Sequence, residues 1–356
     1  MAATPAIDEA KLEEFMGQFV QDMGACATAP LVLIGDKLGL YKAMADGAAV
    51  TPAELAQRTG CRERYLREWL CQQAASGYVE YDPDGQTFRL PPEQAMALAD
   101  DDSPAFIPGA FQLLAAMIKD EPHITERFRS GEGFGWHEHD HDLFEGTERF
   151  FRPGYLANLV ESWLPSLEGI VDRLDAGARV ADIGCGRGAS TILMAKAFPA
   201  SSFHGSDYHE GSIEAARRAA ERAGVADRVT FEVATAKAFG GGPFDLVCVF
   251  DALHDMGDPV GAARHVRSQL ADDGTWMVVE PYANDTVEEN LNPVGRVFYA
   301  GSTMLCTPAS LSQEVGLALG AQAGQQRLTG VLGEGGFGRV RRAAETPFNL
   351  VLEARP

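Results

Sequence analysis

The chain has 356 residues, 46% hydrophobic and 23% charged, which is enough for two domains of ordinary size, each with its own apolar core. Its 30 lysines and arginines stand against 51 aspartates and glutamates. The resulting formal charge of −21 repels phosphate backbones and anionic lipid surfaces, so general nucleic-acid affinity and membrane-surface binding are excluded as expectations. Six cysteines (Cys26, Cys61, Cys71, Cys185, Cys248, Cys306) lack paired spacing, which points to reduced thiols in a cytoplasmic protein without a zinc knuckle. The opening MAATPAIDEAKLEEF has no basic region followed by an apolar core, so no secretory signal is expected there, and apolar runs such as 23–35 fall short of a membrane span.

Leu12, Phe15, Met16, Phe19, Val20 and Met23 recur at helical spacing, and a second apolar stretch runs from Leu31 to Tyr41. Two packing helices are expected, with more apolar surface than one small domain needs, so a homodimer contact is inferred. TPAELAQRTG (51–60) has Thr51 as N-cap, Pro52 at the first helical position and Gly60 as stop. A second helix, CRERYLREWLCQQAASG, follows, and then two alternating runs joined at Asp82-Pro83-Asp84-Gly85. Helix, turn, helix and hairpin make a winged-helix pattern. Its second helix carries Arg62, Arg64 and Arg67, but Glu63 and Glu68 interleave with them, so dimerisation and scaffolding are expected rather than DNA binding.

An apolar helix is expected over 105–118. In GEGFGWHEHDHDLFEG (131–146), His137, His139 and His141 alternate with acids, and the glycine-flanked spacing reads as a solvated or lid-like loop more readily than as one metal site. An amphipathic helix over 150–163 then links a mainly α first domain (1–163) to a second domain (164–356).

The second domain alternates strand and helix. Strands are expected at 180–184, 202–207, 229–234, 244–250 and 275–280, and helices at 189–198, 210–223 and 259–270. That order specifies an α/β fold: a doubly wound, mostly parallel sheet whose ligands sit outside the carboxyl ends of the strands. Those ends hold Gly184, Asp207, Phe250 to His254 and Glu280. The glycine-rich GEGGFGRVRRA near the end lacks the parts of a kinase phosphate loop and reads as the start of a hairpin, 339–343 with 348–353.

The densest signal is RVADIGCGRGAS (179–190): an apolar strand, glycines at 184, 186 and 188, and a helix start. Glycine accepts positive φ there, and a helix N-terminus offers free N–H groups to a ligand. Asp207 closes the next strand, where a carboxylate can accept both hydroxyls of a ribose. Strict alternation of the glycines and Asp182 inside the motif suit a ligand with an ammonium group and no phosphates.

VADIGCGRGAS, GSDYH, FDALHDMGDP and the terminal hairpin together resemble class I S-adenosylmethionine-dependent methyltransferases from about Leu164 onward. The winged-helix front resembles the small-molecule branch that dimerises through such a domain. The resemblance implies S-adenosyl-L-methionine as cofactor and a small-molecule acceptor. It implies that Gly184, Gly186 and Gly188 line the methionine and ribose, that Asp182 approaches the amino group, and that Asp207 holds the ribose. Thr235 and Ala236 stand where the adenine side usually carries an aspartate, and Phe250 and Asp251 complete the cofactor contacts. His254 occupies the general-base position, with Asp255 orienting it or the substrate. A branch that methylates α-keto acids on carbon uses such a His-Asp pair for a metal, with a second histidine before a Cys-x-Pro. Here Leu305 and Cys306 stand in that neighbourhood, and metal-free acid–base methylation is the expectation. The acceptor pocket is expected from 131–155 and 284–307. A regulator that only senses S-adenosylmethionine is the alternative from another class.

Overall fold

The computed structural model describes residues 7–356. The chain divides into two compact units, one ending at Ala115 and the other beginning at Ala116.

In the first unit the two expected helices are one, α1 (Glu9–Lys37), capped by the Asp8 carboxylate on the Ala10 and Lys11 amides and continuous through Pro30. Its last turns are core. A Cβ at Gly35 would stand 2.6 Å from the Tyr41 ring and 2.7 Å from the Trp69 ring, so the helix approaches both only because that residue is glycine. Its first half is not core: Leu12, Phe15, Met16, Phe19, Val20 and Met23 are 48–61% exposed. The helix turns α2 (Pro52–Thr59) and α3 (Glu63–Ala75) follow. At α2 the Thr51 hydroxyl accepts from the Glu54 amide while Glu54 accepts from the Thr51 amide at 2.7 Å, a reciprocal cap, and Gly60 ends the helix in the left-handed region. The hairpin β1 (Glu80–Asp82) and β2 (Thr87–Arg89) completes the wing, and α4 (Pro92–Leu98) follows it. Leu55, Leu66, Leu70 and Phe88 fill its interior. Arg64 pairs with Glu68 and Arg67 with Glu63, so both arginines within α3 are neutralised by their own neighbours, and Arg62 stands at its N-cap.

Helix α5 (Pro108–Ser130) begins in the first unit and ends in the second, and it extends well past 118 because the polar segment after Ile118 stays helical through Pro122. Helix α6 (Asp142–Asn158) starts earlier than expected and gives way to a π-turn at Leu159–Trp163. After α7 (Ile170–Ala176) come β3 (Arg179–Ile183), α8 (Ala189–Ala197), β4 (Ser202–Asp207), α9 (Glu210–Ala223), β5 (Val229–Val233), β6 (Phe244–Phe250), α10 (Pro259–Gln269) and β7 (Leu270–Pro281). The terminal hairpin is β8 (Arg339–Glu345) and β9 (Asn349–Arg355).

The sheet order is β5-β4-β3-β6-β7-β9-β8, parallel from β5 to β7 and antiparallel at β9 and β8. Side chains alternate between its faces: Val180, Leu246, Cys248 and Met277 pack on one, and Ala181, Val247, Val249 and Val278 on the other. Both faces are covered, which is why these strands are apolar throughout rather than alternating. Strand β7 begins five residues before the expected start, through a register shift opposite Phe244 and Leu246. Among the described residues, no helix is long and apolar enough to cross a membrane.

Candidate active site

A cavity of about 510 Å³ opens in the second unit at the carboxyl ends of β3, β4 and β6. One side is the glycine turn, where Gly184, Gly186 and Gly188 have φ of 70°, 51° and 82°. They do different work. A Cβ on Gly188 would lie 2.7 Å from the Phe231 ring and one on Gly184 would lie 3.0 Å from Ala252, whereas around Gly186 nothing stands within 4 Å. The outer two glycines permit close packing, and the middle one leaves room for a ligand.

Asp207 braces this turn, its carboxylate accepting from the Gly186 amide at 3.0 Å and the His209 amide at 2.9 Å. Burial raises its pKa against the pull of those two bonds. Thr235, Ala236, Phe250 and Asp251 line the same cavity. Asp182 does not. It is buried beneath the turn, where its Oδ2 accepts from the Ser190 and Thr191 hydroxyls, both at 2.6 Å, and stitches β3 to α8. Its Oδ1 has no partner, and burial pushes its pKa up to about 6.

The opposite side is the segment after β6. His254 is 3% exposed and is not part of the cavity wall; Asp255, its neighbour, is. The imidazole Nδ1 stands 2.6 Å from Glu280 Oε2, and Nε2 stands 3.2 Å from Asp255 Oδ1. Glu280 also accepts from the Leu253 amide at 3.0 Å, so the end of β7 holds both the histidine and its backbone. Burial disfavours the imidazolium, but Glu280 and then Asp255 override it and raise the His254 pKa well above the ordinary histidine value.

Asp255 Oδ2 accepts from the Trp136 indole N–H at 3.0 Å, across 119 residues of sequence. Gln313 donates to the Asp255 carbonyl and Ser310 to that of Met256. Trp136 is itself anchored by its loop: the Phe134 amide donates to the Pro308 carbonyl at 2.9 Å, and Gly133 lies so close to Ser312 that a Cβ would fall 1.9 Å from its amide.

The histidine-rich loop departs from the solvated reading at one position. His139 is buried, with Nδ1 2.8 Å from Asp120 and its ring edge-on to Phe134 at 4.5 Å, and burial lowers its pKa. His137 lines the cavity and His141 is exposed, so the three do not converge. The cavity wall also differs from expectation at its far end. Ser312, Gln313 and Glu314 contribute to it, and no residue of 284–307 does. Among the described residues, the one group able to offer a metal three close ligand atoms is His254, Asp255 and Cys306, within 4.8 Å of one another. The Cys306 thiol is pushed up to about 12, first by burial, so it is a protonated side chain there.

Two family models match: a methyltransferase domain over residues 174–336 and an Rv2258c-like winged helix-turn-helix domain over 26–100. Residues 174–336 of the second unit are a methyltransferase domain. The 27-O-demethylrifamycin SV methyltransferase of Amycolatopsis mediterranei is 33% identical over 131 residues, 35% of this chain and 48% of that protein. An O-methyltransferase family protein from Burkholderia thailandensis superposes with a TM-score of 0.70 over 99% of both chains at 18% identity. Human N-acetylserotonin methyltransferase in complex with S-adenosylmethionine superposes with 0.69 over 99% of both at 14% identity, likenesses that speak to fold. The matched stretches span 24% to 55% of the curated relatives' own lengths.

The cavity of the methyltransferase domain fits its cofactor on chemistry. The two cations that line it are both committed to carboxylates, Arg187 to Glu148 at 2.6 Å and Lys237 to Asp258 and Glu314 at 3.1 and 2.9 Å. That suits a sulfonium nucleoside and leaves neither cation free for a pyrophosphate. Glu280 and Trp136 are the side chains that reading by sequence left without a role. Glu280 had a signal, its place on the strand-end rim; Trp136 had none.

Proposed function

We propose that this protein transfers the methyl group of S-adenosylmethionine to an acidic heteroatom, such as a hydroxyl, of a small molecule. The observation that carries the reading is the Glu280–His254–Asp255 row set against the cavity that holds the glycine turn. S-Adenosylmethionine, when bound, supplies the electrophilic methyl. Gly186, Asp207, Thr235 and Ala236 hold it, with Phe250 at the junction between cofactor and acceptor. The acceptor's proton passes to the His254–Asp255 pair. Asp255 meets the cavity, His254 is the base behind it, and Glu280 fixes the imidazole through its other nitrogen. Two carboxylates beside one imidazole hold protons as a coupled set. Because His254 is raised above its ordinary value, the active, deprotonated pair is populated on the alkaline side, and the rate rises with pH beyond the usual histidine range.

The exposed apolar stripe of α1 supports a homodimer, and the first unit serves as its scaffold. The internal pairing of Arg64 and Arg67 speaks against the sensing regulator. A metal-assisted C-methylation is favoured by one observation, the proximity of Cys306 to His254 and Asp255.

The test is product detection by mass spectrometry with S-adenosylmethionine and a panel of phenols, amines and keto acids, beside metal analysis and a titration with duplex DNA. Methylated phenols or amines, lost in His254→Ala, support the proposal. Stoichiometric metal with turnover on keto acids shifts it to carbon methylation. Tight, salt-sensitive DNA binding without turnover sinks it.

A further inference from the structure

The residues that hold the nucleoside leave the other end of S-adenosylmethionine, an ammonium and a carboxylate on one carbon, without a partner. Asp182, which the family resemblance sets against the ammonium, lies beneath the glycine turn with its Oδ2 on the Ser190 and Thr191 hydroxyls, and it does not line the cavity. The partner has to come from the wall itself. Lysine and arginine enter that wall once each, in different company. Lys237 follows Thr235 and Ala236 directly, on the side given to adenine, and is held by Asp258 and Glu314. Arg187 stands inside the glycine turn, between Gly186 and Gly188, and meets Glu148 of α6. This second pair is open to the cavity. Its side chains are 29% and 27% exposed, and Arg187 Nε, although 2.6 Å from Glu148 Oε2, has no hydrogen-bond partner. A guanidinium has five N–H donors and a carboxylate about four lone-pair sites, so one such contact leaves both groups able to take a second partner. Paired, they carry no net charge, which is poor for a pyrophosphate and apt for a zwitterion. A ligand carboxylate against the guanidinium and a ligand ammonium against Glu148 make charges that alternate around a square.

We propose that Arg187 and Glu148 together bind the α-amino-acid end of the cofactor, Arg187 its carboxylate and Glu148 its ammonium. The proposal rests on the methyl-transfer reading, and it adds a second anchor to the one that Gly186 and Asp207 give the nucleoside. Anchors on both sides of the sulfur limit the directions in which the methyl can point.

Four adenosine thioethers, titrated by calorimetry into the full chain, test it: S-adenosylhomocysteine, its decarboxylated analogue, its deaminated analogue, and methylthioadenosine, which lacks both groups. In wild type, loss of either group should weaken binding about tenfold or more. Arg187→Met should shrink the penalty for losing the carboxylate to within about threefold while the penalty for losing the ammonium persists. Glu148→Gln should do the reverse, and methylthioadenosine affinity should stay within about twofold in both variants. A merely structural role cannot produce that crossed pattern, because a damaged turn weakens all four ligands alike. Uniform weakening therefore overturns the proposal, as do variants that leave both penalties unchanged. If Arg187→Met or Glu148→Gln does not fold, Arg187→Lys and Glu148→Asp keep the charges and should keep a penalty for each lost group, whereas its disappearance in wild type overturns the proposal without any variant. Failure of all four ligands to bind wild type removes the methyl-transfer reading itself. Equal binding of all four removes only the role given to Arg187 and Glu148, so the two failures are distinguishable.

Discussion

The two sides of the cavity are built from different materials. The glycine side is made of backbone: three residues at positive φ and a carboxylate braced on two amides. Its parts come from neighbouring stretches of one strand-turn-helix unit and the next strand. The His254 side is made of buried side chains drawn from four places in the chain, with Trp136, His254, Glu280 and Cys306 meeting around Asp255. A backbone site tolerates change where it is empty and fails where a Cβ intrudes. A site of buried charges fails whenever one partner is removed, because the others are left without compensation. The comparison therefore expects cofactor binding and proton handling to come apart under mutation.

His254→Ala tests that most severely. It strands Glu280 and Asp255 without a cation, so unfolding stability should fall by about 3–5 kcal/mol and methyl transfer by about 10²–10⁴-fold, while S-adenosylhomocysteine still binds. The stability deficit has a defined pH dependence. The folded pKa of His254 is raised, so the wild type's advantage is full below about pH 6.5 and declines as pH climbs through the elevated folded value. Chemical denaturation across pH and calorimetry read both, and collapse of cofactor binding in this variant would break the division between the two sides.

The glycine side gives the converse pair. Gly186→Ala puts a methyl into space open to the ligand, so affinity for S-adenosylhomocysteine should drop about tenfold or more while stability falls by only about 1 kcal/mol of backbone strain. Gly188→Ala drives the methyl against Phe231 and Ala216 and should cost stability as well. Equal thermal shifts for the two variants would show that the glycines are not doing separate jobs. A smaller effect is expected from Trp136→Phe, which keeps the ring and removes one N–H from the Asp255 carboxylate. A hydrogen bond to a charged group contributes about 1.5–3 kcal/mol, so turnover should fall about tenfold with cofactor affinity unchanged. An unchanged rate would make Trp136 only a wall.

The same contrast explains what the sequence made legible. Strands β3 to β6 and helices α8 to α10 were readable because a two-faced parallel sheet writes its strands as apolar runs closed by glycine or aspartate. Asp207 and Glu280 fell on the expected rim for that reason. The partnership of Glu280 with His254 was not readable, since it spans 26 residues and needs the β6–β7 register to bring both ends together. Trp136 is harder still, because its loop is placed by contacts with the segment after Cys306. His139 misled because alternation with acids looks like a solvated face, and its actual partner, Asp120, lies on another helix. The far end of α5 was missed because Pro122 sits inside a helix that tertiary packing sustains, and α6 begins eight residues before the expected 150.

Asp182 offers the finest test, because it belongs to the glycine side in sequence and to the buried-charge side in physics. Its folded pKa is raised to about 6, by burial first, so between about 3.9 and 6 the folded protein holds a proton that the unfolded chain releases. Stability must then fall as pH rises through that window and level off above it, by an amount on the order of 2–3 kcal/mol. Asp182→Asn removes the titration, and its amide oxygen can still accept from Ser190 or Thr191. The difference in unfolding free energy between wild type and Asp182→Asn should decline from pH 4 to pH 6 and then stay flat. Calorimetry on the same pair settles what the residue is for. Cofactor affinity within about twofold of wild type leaves Asp182 as the stitch between β3 and α8, whereas a drop of about tenfold means that its unpartnered Oδ1 reaches the ligand's amino group through the turn.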